Sequence, residues 1–318
     1  MRLGRRRRRP EPVRPAAAAI AARRVALREP LEALHREYGR SGVVEDPIDC
    51  VRAYSSPADR EIAAFIAAGL AFGRVASIKS SVRAALAPMG SSPAAYVRRF
   101  EPVRELPRLA PFVHRWTGGH DIAALLVILR HMLESAGSLE AFFLQGDDAA
   151  APDIRPGLES FCARARAVDL RPVYGRPVGR PGAHGFFPLP SAGSACKRLN
   201  LFLRWMVRRD AVDLGVWTRV SPARLIIPLD VHVIRVGRCL GLTTYASPGW
   251  RMAASITAAL RQIDPSDPVK YDFALCHLGM EGLCGFRAPA GDSRCPLRGV
   301  CRPRGRRRPG SRRPSCRH

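Results

Sequence analysis

Pro190-Ser191-Ala192-Gly193-Ser194-Ala195-Cys196-Lys197-Arg198-Leu199-Asn200 runs out of a loop and into a helix. Its first half is small, so the backbone there can approach an anion closely. Its second half begins a core-facing pattern: Leu199, Phe202, Leu203, Met206 and Val207 fall at i, i+3, i+4, i+7 spacing. Lys197 therefore lies in a first turn, where unpaired backbone amides favour negative charge. Ile227-Pro228-Leu229-Asp230-Val231-His232-Val233-Ile234-Arg235-Val236 opens a second helix, with Val233, Val236, Gly237 and Leu240 on one face and Gly241 as the stop. Asp230 is placed as its N-cap, a position aspartate fills for stability alone.

Lysine is scarce. Of 52 basic side chains only Lys79, Lys197 and Lys270 are lysines. Guanidinium pairs with phosphate but stays protonated and is no practical nucleophile. An amine that attacks carbon must come from one of these three positions or from the N-terminus. Composition alone does not choose among them.

The net charge of +25 is uneven: residues 1–15 carry +6 and residues 302–318 carry +8, leaving +11 on the body. Runs such as Arg5 to Arg9 read as solvated, disordered tails. A body at +11 attracts polyanions, with nucleic acid the expected partner and anionic membrane surface well behind. The apolar segment after the N-terminal basic run is too short for a signal peptide, and the stretch Ile122 to Leu129 is too short to span a bilayer. The sequence thus reads as a cytoplasmic, monomeric protein without a membrane segment, its nine cysteines in a reducing compartment.

Helical patterns dominate the rest. Ser56-Pro57-Ala58-Asp59 predicts a helix start with a serine cap and an acid three residues on. The helix that follows, through Leu70, is small and apolar, and Gly69 and Gly73 invite a close neighbour. Asp121 to Leu133 reads as a second buried helix. Pro102 to Pro111 and Pro172 to Pro190 read as breaks. The expected organisation is a basic tail over 1–23, a helical body over 24–301 with a cysteine-rich loop at 276–301, and an arginine-rich tail over 302–318.

The order of helix, glycine/proline-rich loop, aspartate and helix, with lysine on the first helix, resembles the helix–hairpin–helix DNA glycosylase superfamily. The segment Leu189 to Leu242 carries the resemblance. The 33 positions between Lys197 and Asp230 exceed the separation in endonuclease III-like enzymes and are closer to the archaeal 8-oxoguanine glycosylase branch. The whole chain, with Asp49-Cys50-Val51-Arg52-Ala53-Tyr54 and Asp267-Pro268-Val269-Lys270-Tyr271-Asp272, resembles an uncharacterised bacterial family related to that branch. One departure is plain: only Gly193 stands before Lys197, where the superfamily has a compact glycine-rich hairpin.

The resemblance implies an all-α, two-lobed fold and a DNA glycosylase/AP lyase of base-excision repair. Lys197 would attack C1′ of a flipped nucleotide as the uncharged amine, and Asp230 would stabilise the cationic sugar. Gly193, Ser194, Arg198, Lys79 and Arg74 would contact DNA, and Phe72, Phe186, Phe187 or Trp217 would stack on the extruded base. Cys295-Pro296-Leu297-Arg298-Gly299-Val300-Cys301 resembles the end of the iron–sulfur loop of endonuclease III-type enzymes. The full set, Cys276, Cys284, Cys295 and Cys301, has intervals of seven, ten and five residues, and the first two do not match that loop. Asp292 stands where that loop would have its third cysteine. A [4Fe–4S] cluster, zinc and no metal remain open. Two other classes stand beside the enzyme: a non-catalytic DNA-binding protein on the same fold, and an RNA- or ribosome-associated basic protein driven by its tails.

Overall fold

The computed structural model describes residues 15–39, 45–284 and 294–301, with backbone alone for 15–23. Among these the chain is all-α apart from one two-stranded hairpin. Residues 1–14 of the tail expected over 1–23, the tail expected over 302–318, and part of the cysteine-rich loop lie outside the described residues.

Helix α1 (Pro15–Tyr38) starts ahead of the boundary expected at residue 24. It buries Leu27, Leu31, Leu34 and Tyr38, one stripe along its length, against the C-terminal helix. Next come α2 (Asp49–Arg52), α3 (Pro57–Gly69), α4 (Val75–Leu86), α5 (Pro93–Arg98) and α6 (Pro102–Leu109). The hairpin of β1 (Val113–His114) and β2 (Thr117–Gly118) leads into α7 (Gly119–Ala136), followed by α8 (Leu139–Leu144), α9 (Arg155–Arg166) and α10 (Arg171–Tyr174). The last four are α11 (Lys197–Val207), α12 (Val231–Leu240), α13 (Trp250–Arg261) and α14 (Asp272–Met280).

Two local expectations fail for identifiable reasons. Pro102 to Pro111 is largely helix α6, because Pro102 occupies the first helical position, where its missing N–H costs nothing. Ser56 precedes α3 but makes no side-chain cap bond, and Asp59 turns away. Its Oδ1 accepts from the Ala94 amide at 2.9 Å and from Ser92 Oγ at 3.3 Å, fastening α3 to the start of α5. The break from Pro172 to Pro190 is mostly loop, carrying the end of α10 and a 3-10 turn at Gly182–Phe186.

Helix α3 is the axis of the larger group. Residues Ile62 to Leu70 are buried almost without exception, and α3 packs on α11, α5, α2 and α4. Gly69 is required there, since a Cβ would sit 2.7 Å from the Phe186 ring. Buried Glu61 on the same helix is fully engaged: Oε1 accepts from Trp217 Nε1 at 2.6 Å and the Glu140 amide at 3.0 Å, and Oε2 from the Leu139 amide. A second group forms from α1, α12 and α14, with α13 against α12 through Ile256 and Gly237. One continuous apolar core runs through both groups, and a cavity opens where α11 meets α12 and α14.

Candidate active site

The cavity measures about 520 Å³, within the ~300–1,000 Å³ range of small-ligand sites. Helix α11 contributes Lys197, Leu201 and Arg204, an i, i+4, i+7 face of one helix. The start of α12 contributes Asp230, and α14 contributes Asp272, Cys276 and His277.

Lys197 is the first residue of α11, preceded by a 3-10 turn at Pro190–Ala192, left-handed Gly193 (φ 81°) and left-handed Cys196 (φ 48°). A 3-10 turn and a loop thus lead into α11, where the resemblance would place a glycine-rich hairpin between two helices. The Gly193 carbonyl accepts from the Trp250 amide at 3.2 Å, which pins the loop to the start of α13. Gly193 is exposed and Ser194 half-buried, and Ser194 Oγ accepts from the Cys196 amide.

Asp230 is an N-cap, as its spacing indicates: Oδ1 accepts from the His232 and Val233 amides at 2.9 and 2.8 Å. The other oxygen has a different task. Oδ2 lies 4.0 Å from Lys197 Nζ and accepts from the Cys276 thiol at 3.1 Å. The Lys197 and Asp230 side chains are 36% and 15% exposed, so both reach solvent through the cavity mouth. Burial and the adjacent Asp230 carboxylate push the Cys276 thiol well up, which keeps it a proton donor.

Beneath this pair lies a buried charge network. Arg204 donates from Nη1 to Asp272 Oδ2 and from Nε to Asp213 Oδ1, while Arg208 bridges Asp213 and Asp267. Burial raises Asp213 to about 6 and Asp272 to about 7, partly offset by the arginines, and Asp230 adds to the shift on Asp272. Burial opposes the charge on Arg204, but Asp213 and Asp272 outweigh it and hold the guanidinium protonated.

The other two lysines are engaged elsewhere. Lys270 pairs with Glu32 at 2.7 Å and Asp264 at 2.6 Å. Lys79, expected on DNA, pairs with Asp49 at 3.0 Å and has a side chain only 11% exposed. Arg198, also expected on DNA, points inward, donating to the carbonyls of Gly69 and Gly185, with its guanidinium over the rings of Phe72 and Phe186. Arg74 stands exposed at the start of α4. Of the four aromatic residues expected to stack, Phe186, Phe187 and Trp217 are core, and only Phe72 lines the cavity.

The four cysteines proposed as ligands do not form a metal-holding group among the described residues. Cys276 is spent on Asp230, and no group of three or more His, Cys, Asp or Glu side chains arranged to hold a metal occurs among the described residues. Cys239 on α12 instead lies beside Cys284 and Cys301, whose proximity, together with burial, pushes its thiol up.

Sequence reasoning missed Arg204 and Asp272. The signal was present: Arg204 falls seven positions after Lys197, and Asp272 four before Cys276, so each shares a helix face with a residue already singled out. No helix among the described residues is long and apolar enough to cross a membrane. No curated protein and no solved structure matches the chain. The chain belongs to the family described as Protein of unknown function (DUF2400), whose model matches residues 46–281 and so spans Lys197, Asp230, Asp272 and Cys276.

Proposed function

We propose that this protein is a DNA glycosylase/AP lyase of base-excision repair in which Lys197 forms a Schiff base with the sugar of a flipped nucleotide. One observation carries the reading. Of the chain's three lysines, Lys197 alone lines the cavity, 4.0 Å from a carboxylate oxygen that the helix cap leaves unused. Lys79 and Lys270 sit in ion pairs, so the scarce amine and the aspartate meet where a ligand fits.

The geometry is compatible with the roles that this chemistry requires. The Lys197 amine, uncharged, attacks C1′; the N-glycosidic bond breaks and the base leaves with the bonding electron pair and takes up a proton. Ring opening gives the iminium, and loss of the 2′ proton expels the 3′ phosphate by β-elimination. Asp230 Oδ2 faces the developing positive charge, held there because Oδ1 is anchored to two helix amides. Arg74, Gly193 and Ser194, with the basic body, supply phosphate contacts. Arg198 and Lys79 act inside the protein.

Borohydride trapping on oligonucleotides carrying 8-oxoguanine, uracil, oxidised pyrimidines or an abasic site tests the reading. A covalent adduct through Lys197 is expected on at least the abasic site. Binding without any adduct on the whole panel would replace the enzyme with the non-catalytic DNA-binding protein.

A further inference from the structure

The pairs Val113–Gly118 and His114–Thr117 leave Arg115 and Trp116 as the two turn residues of the β1–β2 hairpin. Turns of this length favour Asn-Gly and similar pairs, because the backbone there goes left-handed. Arg115 takes that conformation, at φ 55°, and Trp116 beside it is 73% exposed. A single exposed apolar side chain is ordinary. What marks this one is how firmly it is backed. The Trp116 ring lies flat on Phe72, with centroids 4.5 Å apart and 11° between the planes. Phe72 is itself held between the His114 ring at 4.6 Å and the Arg198 guanidinium at 5.2 Å. His114 Nε2 donates to the Phe72 carbonyl at 3.1 Å, which leaves Nδ1 to accept from Ser81 Oγ at 2.8 Å. One face of Trp116 is thus fixed to the protein and the other is turned to solvent. Two exposed arginines stand beside it. Arg74 follows Gly73, and the Arg115 guanidinium packs over Gly73, where a Cβ would meet Nε at 3.0 Å.

We propose that Trp116 is a stacking platform for an unpaired base outside the cavity, and that the protein's preferred nucleic acid is single-stranded DNA. The base lies on the outward face of Trp116, and Arg115 and Arg74 take the phosphates on either side. Every base has a π-face, so such a platform is indifferent to sequence. It is selective for strand state. Inside a duplex both faces of each base are covered by its neighbours, whereas an unpaired base has a face to offer. A ring already locked against Phe72 and His114 also loses little freedom on binding. Charge does not produce this preference. Duplex carries the denser row of phosphates, so the basic body and the arginine tails by themselves favour duplex. An anionic membrane also attracts aromatic and basic groups, but it takes up a broad apolar face, and here one ring stands between two guanidinium groups. Phe72 lines the cavity as well, so a base on Trp116 stands one ring away from the cavity wall. The next nucleotide of the same strand then enters with no base pair to break. This inference rests on the reading of the protein as one that acts on DNA.

The full chain is titrated with an oligothymidylate of about 12 nucleotides, and with a duplex of the same length, while tryptophan fluorescence is followed. The other tryptophans, Trp205, Trp217 and Trp250, are at most 5% exposed, so quenching by a stacked base reports Trp116. The single strand should quench and should bind more tightly than the duplex. Trp116→Ala should weaken single-strand binding about tenfold or more and leave duplex binding within about twofold. Trp116→Phe, which keeps a ring, should bind the single strand nearly as the parent does. Both replacements fall at an exposed side chain, so the fold is not at stake. No quenching by the single strand, or equal losses on both forms in Trp116→Ala, overturns the platform. An emission shift on phosphatidylglycerol vesicles with none on the oligonucleotide gives the ring to a membrane surface and overturns it too. Borohydride trapping on a single-stranded abasic oligonucleotide is scored separately. Quenching and strand preference without trapping uphold the platform and count against the lyase reading alone. Trapping without them overturns the platform alone, and failure of both arms overturns both.

Discussion

The oxygen of Asp230 that faces Lys197 is not the oxygen that caps α12. Oδ1 holds the His232 and Val233 amides, and Oδ2 lies 4.0 Å from Lys197 Nζ. One carboxylate thus caps α12 with one oxygen and faces Lys197 with the other, and its orientation is fixed by the helix it begins.

Lys197→Arg keeps the charge and approximate length but cannot form a Schiff base. Trapping on an abasic oligonucleotide should fall by at least ~100-fold. Lys79→Arg and Lys270→Arg should leave it intact, since those side chains serve ion pairs. Persistent trapping in Lys197→Arg would move the nucleophile to the N-terminal amine.

Asp230→Asn retains a capping oxygen and loses the charge opposite the sugar. Base release under single-turnover conditions should slow by about 10²–10³-fold. Stability should change by less than the ~1 kcal/mol expected of a full cap loss, as read by urea unfolding beside Asp230→Ala. Unchanged base release in Asp230→Asn, with stability lost only in Asp230→Ala, would show that capping alone explains the residue.

Cys276 is a neighbour of Asp230, and no metal-holding group that includes it with Cys284, Cys295 and Cys301 occurs among the described residues. Cys276→Ser keeps a donor to Oδ2 and should hold single-turnover rates within about tenfold of the parent. Iron and zinc content by elemental analysis should be the same in parent and variant. A loss of bound metal in Cys276→Ser would restore the four-cysteine set.

Asp272 gives a pH signature. Its folded value is raised from 3.8 to about 7, chiefly by burial. Between these values the folded chain holds a proton that the unfolded chain has released, so this group's contribution to stability falls as pH rises through that window. Asp272→Asn lacks the titration. Its stability relative to the parent should therefore rise between about pH 5 and pH 8, measured by urea unfolding at each pH. A constant difference across that range would mean Asp272 is already ionised at pH 5.

The terminal arginines should govern salt dependence. Deleting residues 1–14 and 302–318 removes fifteen arginines. The slope of log affinity against log salt should flatten by about 0.9 for each phosphate that is no longer neutralised, while single-turnover cleavage at saturating enzyme stays unchanged. Loss of cleavage on tail deletion would favour the tail-driven nucleic-acid binder.

Sequence by itself determined the helical class and several anchors of the site. Apolar periodicity located α3, α7, α11 and α12, because a helix must bury a stripe whatever its neighbours are. The cap at Asp230 and the first-turn place of Lys197 were legible for the same reason, since local hydrogen bonding sets both. Tertiary structure decided which lysine lines the cavity, by spending Lys79 and Lys270 on carboxylates distant in sequence and bringing Lys197 to Asp230. It turned Arg198 inward, drew Cys276 to Asp230, and buried Arg204 and Asp272 with one polar atom each unpaired. Periodicity reports only that a face is covered, whereas ion pairs and orphaned polar atoms depend on what covers it, and that is settled by packing between segments far apart in the chain.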